Sequence, residues 1–237
     1  MSENRSAENE HAGRVRDMFA TIARRYDLLN HLLSANIDKR WRRVVANSIE
    51  GKIKRDGARI LDVASGTGDL AATLFEVTGA QVVATDFCRP MLDIAAEKIG
   101  HDVTLIESDA LRLPFRDGSF DAVTIGFGLR NVANVQTGLA ELGRVLRSGG
   151  WLAVLEFSRP ANAAVRAVFG TYFTRILPVM GGVVSGSRSA YTYLPDSVKR
   201  FPDQQELKAM IEQAGFEEVS FENLTGGIAA LHVGRKP

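Results

Sequence analysis

Apolar positions change period several times along the chain, and the changes mark out its elements. From about Arg14, the residues Val15, Met18, Phe19, Ile22 and Ala23 recur at helical spacing and predict an amphipathic helix. Tyr26-Asp27-Leu28-Leu29-Asn30 leads into a second short helix ending near Ser34, and a third is predicted from Asp38 through Trp41, Val44, Val45 and Ile49. From Ala58 short strand-like runs alternate with helical ones: strand 59–63, helix 69–77, strand 81–85, helix 90–98, strands 103–107 and 120–126, helix 135–146, strand 151–157. Such alternation implies parallel strands covered by helices on both faces, with a ligand at the carboxyl ends of the strands.

After the fifth strand the pattern changes. An apolar helix is predicted over 161–180, carrying Phe169, Tyr172, Phe173, Ile176, Leu177 and Met180, followed by a Gly/Ser-rich loop to Ser189. A helix capped by Asp203, with Glu206 at the capping-box position, should end at Gly215. Strands 216–223 and 227–235 then form an antiparallel pair joined through Thr225-Gly226-Gly227. The fold class expected is therefore α/β, a doubly wound, mostly parallel seven-stranded sheet preceded by an N-terminal helical segment.

Composition narrows this frame without redirecting it. A chain of 237 residues, 45% hydrophobic and 24% charged, can bury one full α/β core. A net charge of +1 carries no nucleic-acid signature. The single cysteine, Cys88, precludes an internal disulfide and fits a reducing, cytoplasmic setting. No apolar run reaches the roughly 18 residues that a membrane span needs, and no plausible zinc cluster occurs.

The candidate chemistry begins at Ile60-Leu61-Asp62-Val63-Ala64-Ser65-Gly66-Thr67-Gly68-Asp69-Leu70, a buried strand, a glycine turn and a helix start. Glycine lets the turn adopt positive φ and lets a ligand approach the backbone, while the helix start offers unpaired N–H groups. Gly66 to Ala71 satisfies the dinucleotide fingerprint, and Asp86 lies 20 residues after Gly66, where a ribose-binding acid belongs. Asp62 and Asp69 argue against a pyrophosphate, since both place negative charge beside the turn. A ligand with a cationic amino-acid end and a ribose but no phosphate suits these acids better, and S-adenosylmethionine (SAM) is such a ligand. The bland alternative is a structural turn with Asp62 and Asp69 as caps.

Other candidates fall along the same edge. Asp86 should take the ribose hydroxyls, and Asp109-Ala110, after the third strand, can meet the adenine through a carboxylate and a backbone N–H. Phe87 can lie against the adenine face or serve as a core aromatic. Gly126-Phe127-Gly128-Leu129-Arg130-Asn131 follows the fourth strand and faces the expected methyl position. Arg130, always charged, can stabilise an anion, and Asn131 can orient a hydroxyl or a water. The competing reading is Arg130 in a surface ion pair. The terminal antiparallel pair is the pattern of SAM-dependent methyltransferases and atypical of dinucleotide dehydrogenases. The chain thus divides into a disordered tail (1–13), an N-terminal helical lid or packing appendage (14–55) and a SAM-binding domain (56–237) with a substrate-side insertion (159–202).

Several longer stretches carry a closer resemblance. Tyr26 to Asn30 through Ser34 to Trp41, and Arg144 to Gly150 through Leu155-Glu156-Phe157-Ser158, resemble the two signatures of the C-methyltransferases of ubiquinone and menaquinone biosynthesis. That family's Gly-Thr-Gly-Asp-Leu, Leu-Pro-Phe, Phe-Gly-Leu-Arg-Asn and Phe-Pro-Asp-Gln stretches recur at Gly66, Leu113, Phe127 and Phe201, and the likeness runs from Met18 to Lys236. Three positions depart from it. Asp38 stands where the family has His, Leu146-Arg-Ser-Gly-Gly150 replaces Leu-Lys-Pro-Gly-Gly, and Gly126 replaces a serine of some members. The resemblance implies that Thr67, Asp86 and Asp109-Ala110 contact SAM. It also implies a reduced prenylated quinone as substrate, most simply demethylmenaquinol. The general base is left open among a water ordered by Asn131, Asp38 and Asp27.

A prenylated substrate raises the question of a membrane surface. Between Arg14 and Arg55 lie 11 Lys/Arg against 4 acids, together with Met18, Phe19, Ile22 and Trp41. Basic amphipathic helices of this kind suit reversible docking on anionic headgroups, making the protein cytoplasmic and membrane-peripheral. The alternative is a solvated face with its apolar stripe turned to the core. Oligomeric state, a homo-oligomer included, is left open.

Overall fold

The structure is a computed structural model describing residues 13–23, 36–53, 56–160, 166, 170 and 188–237, without the side chains of 188–192 and 194. Its centre is a seven-stranded sheet: β1 (Arg59–Val63), β2 (Gln81–Asp86), β3 (Val103–Glu107), β4 (Phe120–Gly126), β5 (Leu146–Phe157), β6 (Glu217–Leu224) and β7 (Ala229–Arg235). The order across the sheet is β3-β2-β1-β4-β5-β7-β6. β1 to β5 pair in parallel, while β7 runs antiparallel to both β5 and β6. Strands β1 and β4 are buried almost end to end, as expected of central parallel strands covered on both faces. The edge strand β6 carries exposed Glu217, Glu218 and Glu222, whose charge guards it against further pairing.

The helices are α1 (13–23), α2 (Ile37–Glu50), α3 (Asp69–Thr78), α4 (Arg89–Ile99), α5 (Val135–Val145), α6 (Arg188–Arg200) and α7 (Gln204–Gln213). α2 and α3 share one face of the sheet, burying Val45, Ala46, Ile49, Ala71 and Leu74 against Ile60, Ala84 and Leu155. α5 and α7 cover the other, with Leu139, Leu142, Leu207 and Ile211 on Leu61, Val123 and Val154. Asp203 caps α7 through the capping box with Glu206.

The N-terminal segment divides. α2 is a core helix: Trp41 is 4% exposed, donates from Nε1 to Thr225 Oγ1 at 2.9 Å and packs against Phe127 and Phe157. Trp41 is therefore not an interfacial group, and the lid expectation does not describe this helix. α1 instead packs its Ala23, Phe19 and Ala20 on Cys88 and Met91, over the carboxyl end of β2. Most of the helix expected over 161–180, and the one ending near Ser34, lie outside the described residues.

Two strand starts differ from expectation by more than one residue. β5 begins at Leu146 rather than 151, because Leu146 pairs with Phe120 before the strand bulges. Gly149, at φ 77°, donates to Lys236 O and keeps this extension within the sheet. β7 begins at Ala229, since Thr225–Gly227 form a 3₁₀ turn with Gly226 at φ 70°.

Candidate functional site

The sheet order places β1 between β2 and β4, so the chain reverses direction across the sheet between β1 and β4. There the loops after two neighbouring strands diverge and leave a crevice. Both loops begin with a non-glycine residue in left-handed conformation, Ala64 (φ 52°) and Phe127 (φ 56°). Each costs about 1 kcal/mol, a strain that persists only where the surroundings enforce it. A Cβ on Gly128 would come within 2.6 Å of Ala64 Cβ, so the two loops touch.

The glycine turn is held by Asp86. Its carboxylate accepts from Gly66 N–H and from Cys88 N–H, both at 2.8 Å. Gly68 combines φ 80° with a position where any Cβ would overlap Ile99 Cδ1 on α4. Thr67 is buried within the same turn. Asp62, Gly66, Thr67, Gly68 and Asp86 thus converge on one corner. Asp109, two residues beyond β3, is exposed and folds its carboxylate onto Leu111 N–H at 2.9 Å, with Ala110 half-buried beside it. Phe87 is half-buried at the same edge.

Asp62 is the most informative group here. It is 1% exposed, its Oδ1 accepts from the Thr124 hydroxyl at 2.7 Å, and its Oδ2 has no hydrogen-bond donor. Burial pushes its pKa up to about 7, with the Thr124 bond, Arg42 and the neighbouring Ala71 N–H, which falls short of a hydrogen bond to Oδ2, pulling down and Asp86 pushing up. Buried acceptors rarely go unpaired, so an orphaned carboxylate oxygen here fits a ligand that brings a cationic donor. The amino-acid end of SAM is such a donor. Asp86 too is held above the usual carboxylate range by burial, against the pull of its backbone N–H bonds.

Beyond β4, residues Leu129–Asn131 form a single 3₁₀ turn. Arg130 is buried and not in a surface pair. Its Nη1 donates to Glu156 Oε1 at 2.7 Å and to Phe127 O, and Glu156 Oε2 accepts the Arg130 backbone N–H at 3.3 Å. Glu156 is 1% exposed and also accepts from Phe157 N–H at 2.8 Å. Burial holds its carboxyl above the usual range, offset by Arg130. The Arg130 Nε is buried without a partner. Asn131 accepts from the Tyr193 hydroxyl at 3.0 Å, which brings α6 onto this turn.

Three of these contributors are absent from the sequence-based candidates. Glu156 left a trace, since an acid inside the apolar run Trp151–Phe157 must find a buried partner. Arg42 left a weaker one, its helical spacing with Asp38, Val45, Ala46 and Ile49, and Tyr193 left none. Asp38 is removed as a base: it is buried and bound to Arg42 at 2.8 Å, a carboxylate committed to an ion pair. Asp27 lies outside the described residues.

The ubiE/COQ5 methyltransferase family matches residues 5–236. A demethylmenaquinone methyltransferase of Thermus thermophilus is 53% identical over 93% of this chain and 100% of its own length. One of Deinococcus radiodurans is 48% identical, over 94% and 92%. A ubiquinone/menaquinone biosynthesis C-methyltransferase of Stutzerimonas stutzeri is 42% identical, over 97% and 91%. Among solved structures, a SAM-dependent methyltransferase of Thermotoga maritima superposes with a TM-score of 0.64 at 19% identity, covering 93% of this chain and 99% of that one. The [4+2]-cyclase SpnF does so at 0.68 and 19%, covering 95% and 97%, which shows the fold alone. These matches set aside the dinucleotide-oxidoreductase alternative, and the chain belongs to the ubiE/COQ5 methyltransferase family.

Proposed function

We propose that this enzyme transfers a methyl group from SAM to a ring carbon of a reduced prenylated quinone, with demethylmenaquinol as its substrate. The observation that carries the reading is the 53% identity to a demethylmenaquinone methyltransferase over that protein's whole length. The unpaired Asp62 oxygen supports the donor assignment, because it suits an ammonium and repels a phosphate.

SAM, when bound, supplies an electrophilic methyl group on a sulfonium. Asp62 would hold its ammonium, Asp86 its ribose, and Asp109 with Ala110 its adenine, against the turn of Gly66, Thr67 and Gly68. The remaining work is to make a ring carbon nucleophilic, which follows when the adjacent hydroxyl loses its proton. Arg130 and Asn131 are the catalytic residues in this reading. Because Glu156 already balances the Arg130 charge, Arg130 acts through the directed N–H of its buried Nε more than as a free cation. A preorganised donor aimed at a developing phenolate in a dry site is worth about 3 kcal/mol. Asn131, fixed by Tyr193, orients the hydroxyl and a solvent molecule that takes its proton. The protein's chief contribution is alignment of the two partners.

The lipid tail of such a substrate brings the chain to a bilayer. No described helix is long and apolar enough to cross a membrane. Arg42 and Trp41 are withdrawn into the protein, so docking would rest on the exposed Arg14, Arg16, Lys39 and Arg40. Lys39→Gln with Arg40→Gln should reduce co-sedimentation with anionic vesicles; unchanged sedimentation rejects this surface.

The function itself is tested by anaerobic incubation of the purified chain with SAM and demethylmenaquinol. The expected product, read by mass spectrometry, is the quinol with one added methyl group. Methylation of a benzoquinol but not the naphthoquinol would reassign the ring, and methylation of neither would refute the reading.

A further inference from the structure

The residue directly after the glycine turn is the meeting point of three helices. Asp69, first residue of α3, receives Arg42 of α2 on Oδ2 at 3.0 Å and Lys98 of α4 on Oδ1. The same Arg42 Nη1 lies 2.8 Å from Asp38, one turn earlier on its own helix. The Arg42 side chain is 11% exposed and that of Asp69 is 16%. A guanidinium withdrawn from water to this degree is retained only where its charge is matched, and here two carboxylates match it.

The arrangement acts on the donor site in two ways. Mechanically, it anchors the residue that follows Gly68, and with it the turn against which the donor lies. Electrostatically, Arg42 is the cation whose field opposes the burial of Asp62. The groups acting on Asp62 are Asp86 from β2, Arg42 from α2, the neutral Thr124 from β4 and the Ala71 N–H from α3; Arg42 is itself paired with Asp38 and Asp69, and Asp69 with Lys98.

We propose that Arg42 is a positioning residue for the methyl donor, acting through Asp69 on the glycine turn and through its field on the Asp62 carboxylate. The proposal rests on Asp62 receiving the donor's ammonium. Only an ionised Asp62 does so fully, so affinity should rise with pH through the titration of that group. Without Arg42 the titration moves upward, and affinity at neutral pH falls.

Calorimetric titration of the full chain with S-adenosylhomocysteine, from pH 6 to pH 8.5, tests this. That probe keeps the amino-acid end and lacks the reactive methyl. The parent chain is expected to bind more tightly as pH rises through about 7. Arg42→Gln should weaken binding at pH 7 several-fold and shift the rise to higher pH, because more of Asp62 is then protonated. Arg42→Lys keeps the charge but not the planar guanidinium or its reach to Asp38 and Asp69, so it should weaken binding several-fold at every pH with the midpoint unmoved. A folded Arg42→Gln chain with the parent's affinity overturns the proposal, and so does weakening without a shift of midpoint, which marks Arg42 as merely structural. Should Arg42→Gln not fold, Arg42→Lys decides, and parental affinity throughout overturns the proposal. A parent chain that binds at no pH overturns the donor-site reading instead.

Discussion

In the proposed reading, Asp62 sets stability against donor binding within one side chain. Its pKa of about 7 in the folded chain exceeds the ordinary 3.8, so between those values the folded state holds more protons than the unfolded one. Stability therefore falls as pH rises through that window, and the ionised form an ammonium requires is the form folding disfavours. Asp62→Asn keeps an acceptor for the Thr124 hydroxyl and removes the ionisation cost. At pH 8 it should raise stability by about 2 kcal/mol, seen as a higher Tm, while SAM affinity drops at least tenfold. Equal melting at pH 8 would show that Asp62 is not strained. Asp86 carries a different load, because its two oxygens hold Gly66 N–H and Cys88 N–H. Asp86→Ala loses the expected ribose contact and loosens the turn together, for a cost to SAM binding of about 2 kcal/mol or more. Unchanged affinity in titration calorimetry would reject the assignment.

Among the elements, the 3₁₀ turn after β4, which carries the proposed catalytic residues, is held by its neighbouring strand. Glu156, from the neighbouring strand, accepts both the side chain and the backbone N–H of Arg130, so β5 fixes the turn that β4 leads into. Replacing Arg130 by Lys substitutes a point charge for a planar guanidinium whose Nη1 bonds Glu156 and Phe127 O and whose Nε is a further buried donor. Turnover should fall tenfold or more while SAM affinity stays within about twofold, the sign of a loss confined to the transition state. A parallel fall in SAM affinity would make Arg130 a structural residue. The same turn marks where sequence reasoning ended. Periodicity located β1 to β4 within a residue; for β1, β2 and β4 the reason is that central parallel strands are nearly continuous apolar runs. The glycine spacing located Asp86, because the turn needs positive φ at fixed positions. Nothing local reveals that Arg130 turns inward to an acid 26 residues later, or that Arg42 of α2 meets Asp69 of α3. Those outcomes depend on which strands and helices become neighbours.

In the whole molecule, the N-terminal segment closes the fold at two points with different strengths. Trp41 ties α2 to Thr225, 184 residues away, and sits in an aromatic cluster with Phe127 and Phe157, so this attachment should open only with global unfolding. α1 is held by a smaller patch, Ala23, Phe19 and Ala20 on Cys88 and Met91, and it lies over the strand end that carries Asp86. Cys88 is fully buried, and burial pushes its thiol up, so thiol reagents reach it only when the surrounding patch opens. It is also the sole cysteine of the chain, which makes its labelling rate a direct reading of that opening. If α1 covers the donor, the ligand must favour the closed form. A donor present at one hundred times its dissociation constant should then slow labelling at pH 8 by up to about 100-fold, since opening is penalised by the full binding term. A labelling rate indifferent to S-adenosylhomocysteine, in a chain that calorimetry shows to bind it, would mean that α1 moves independently of the site and is packing alone.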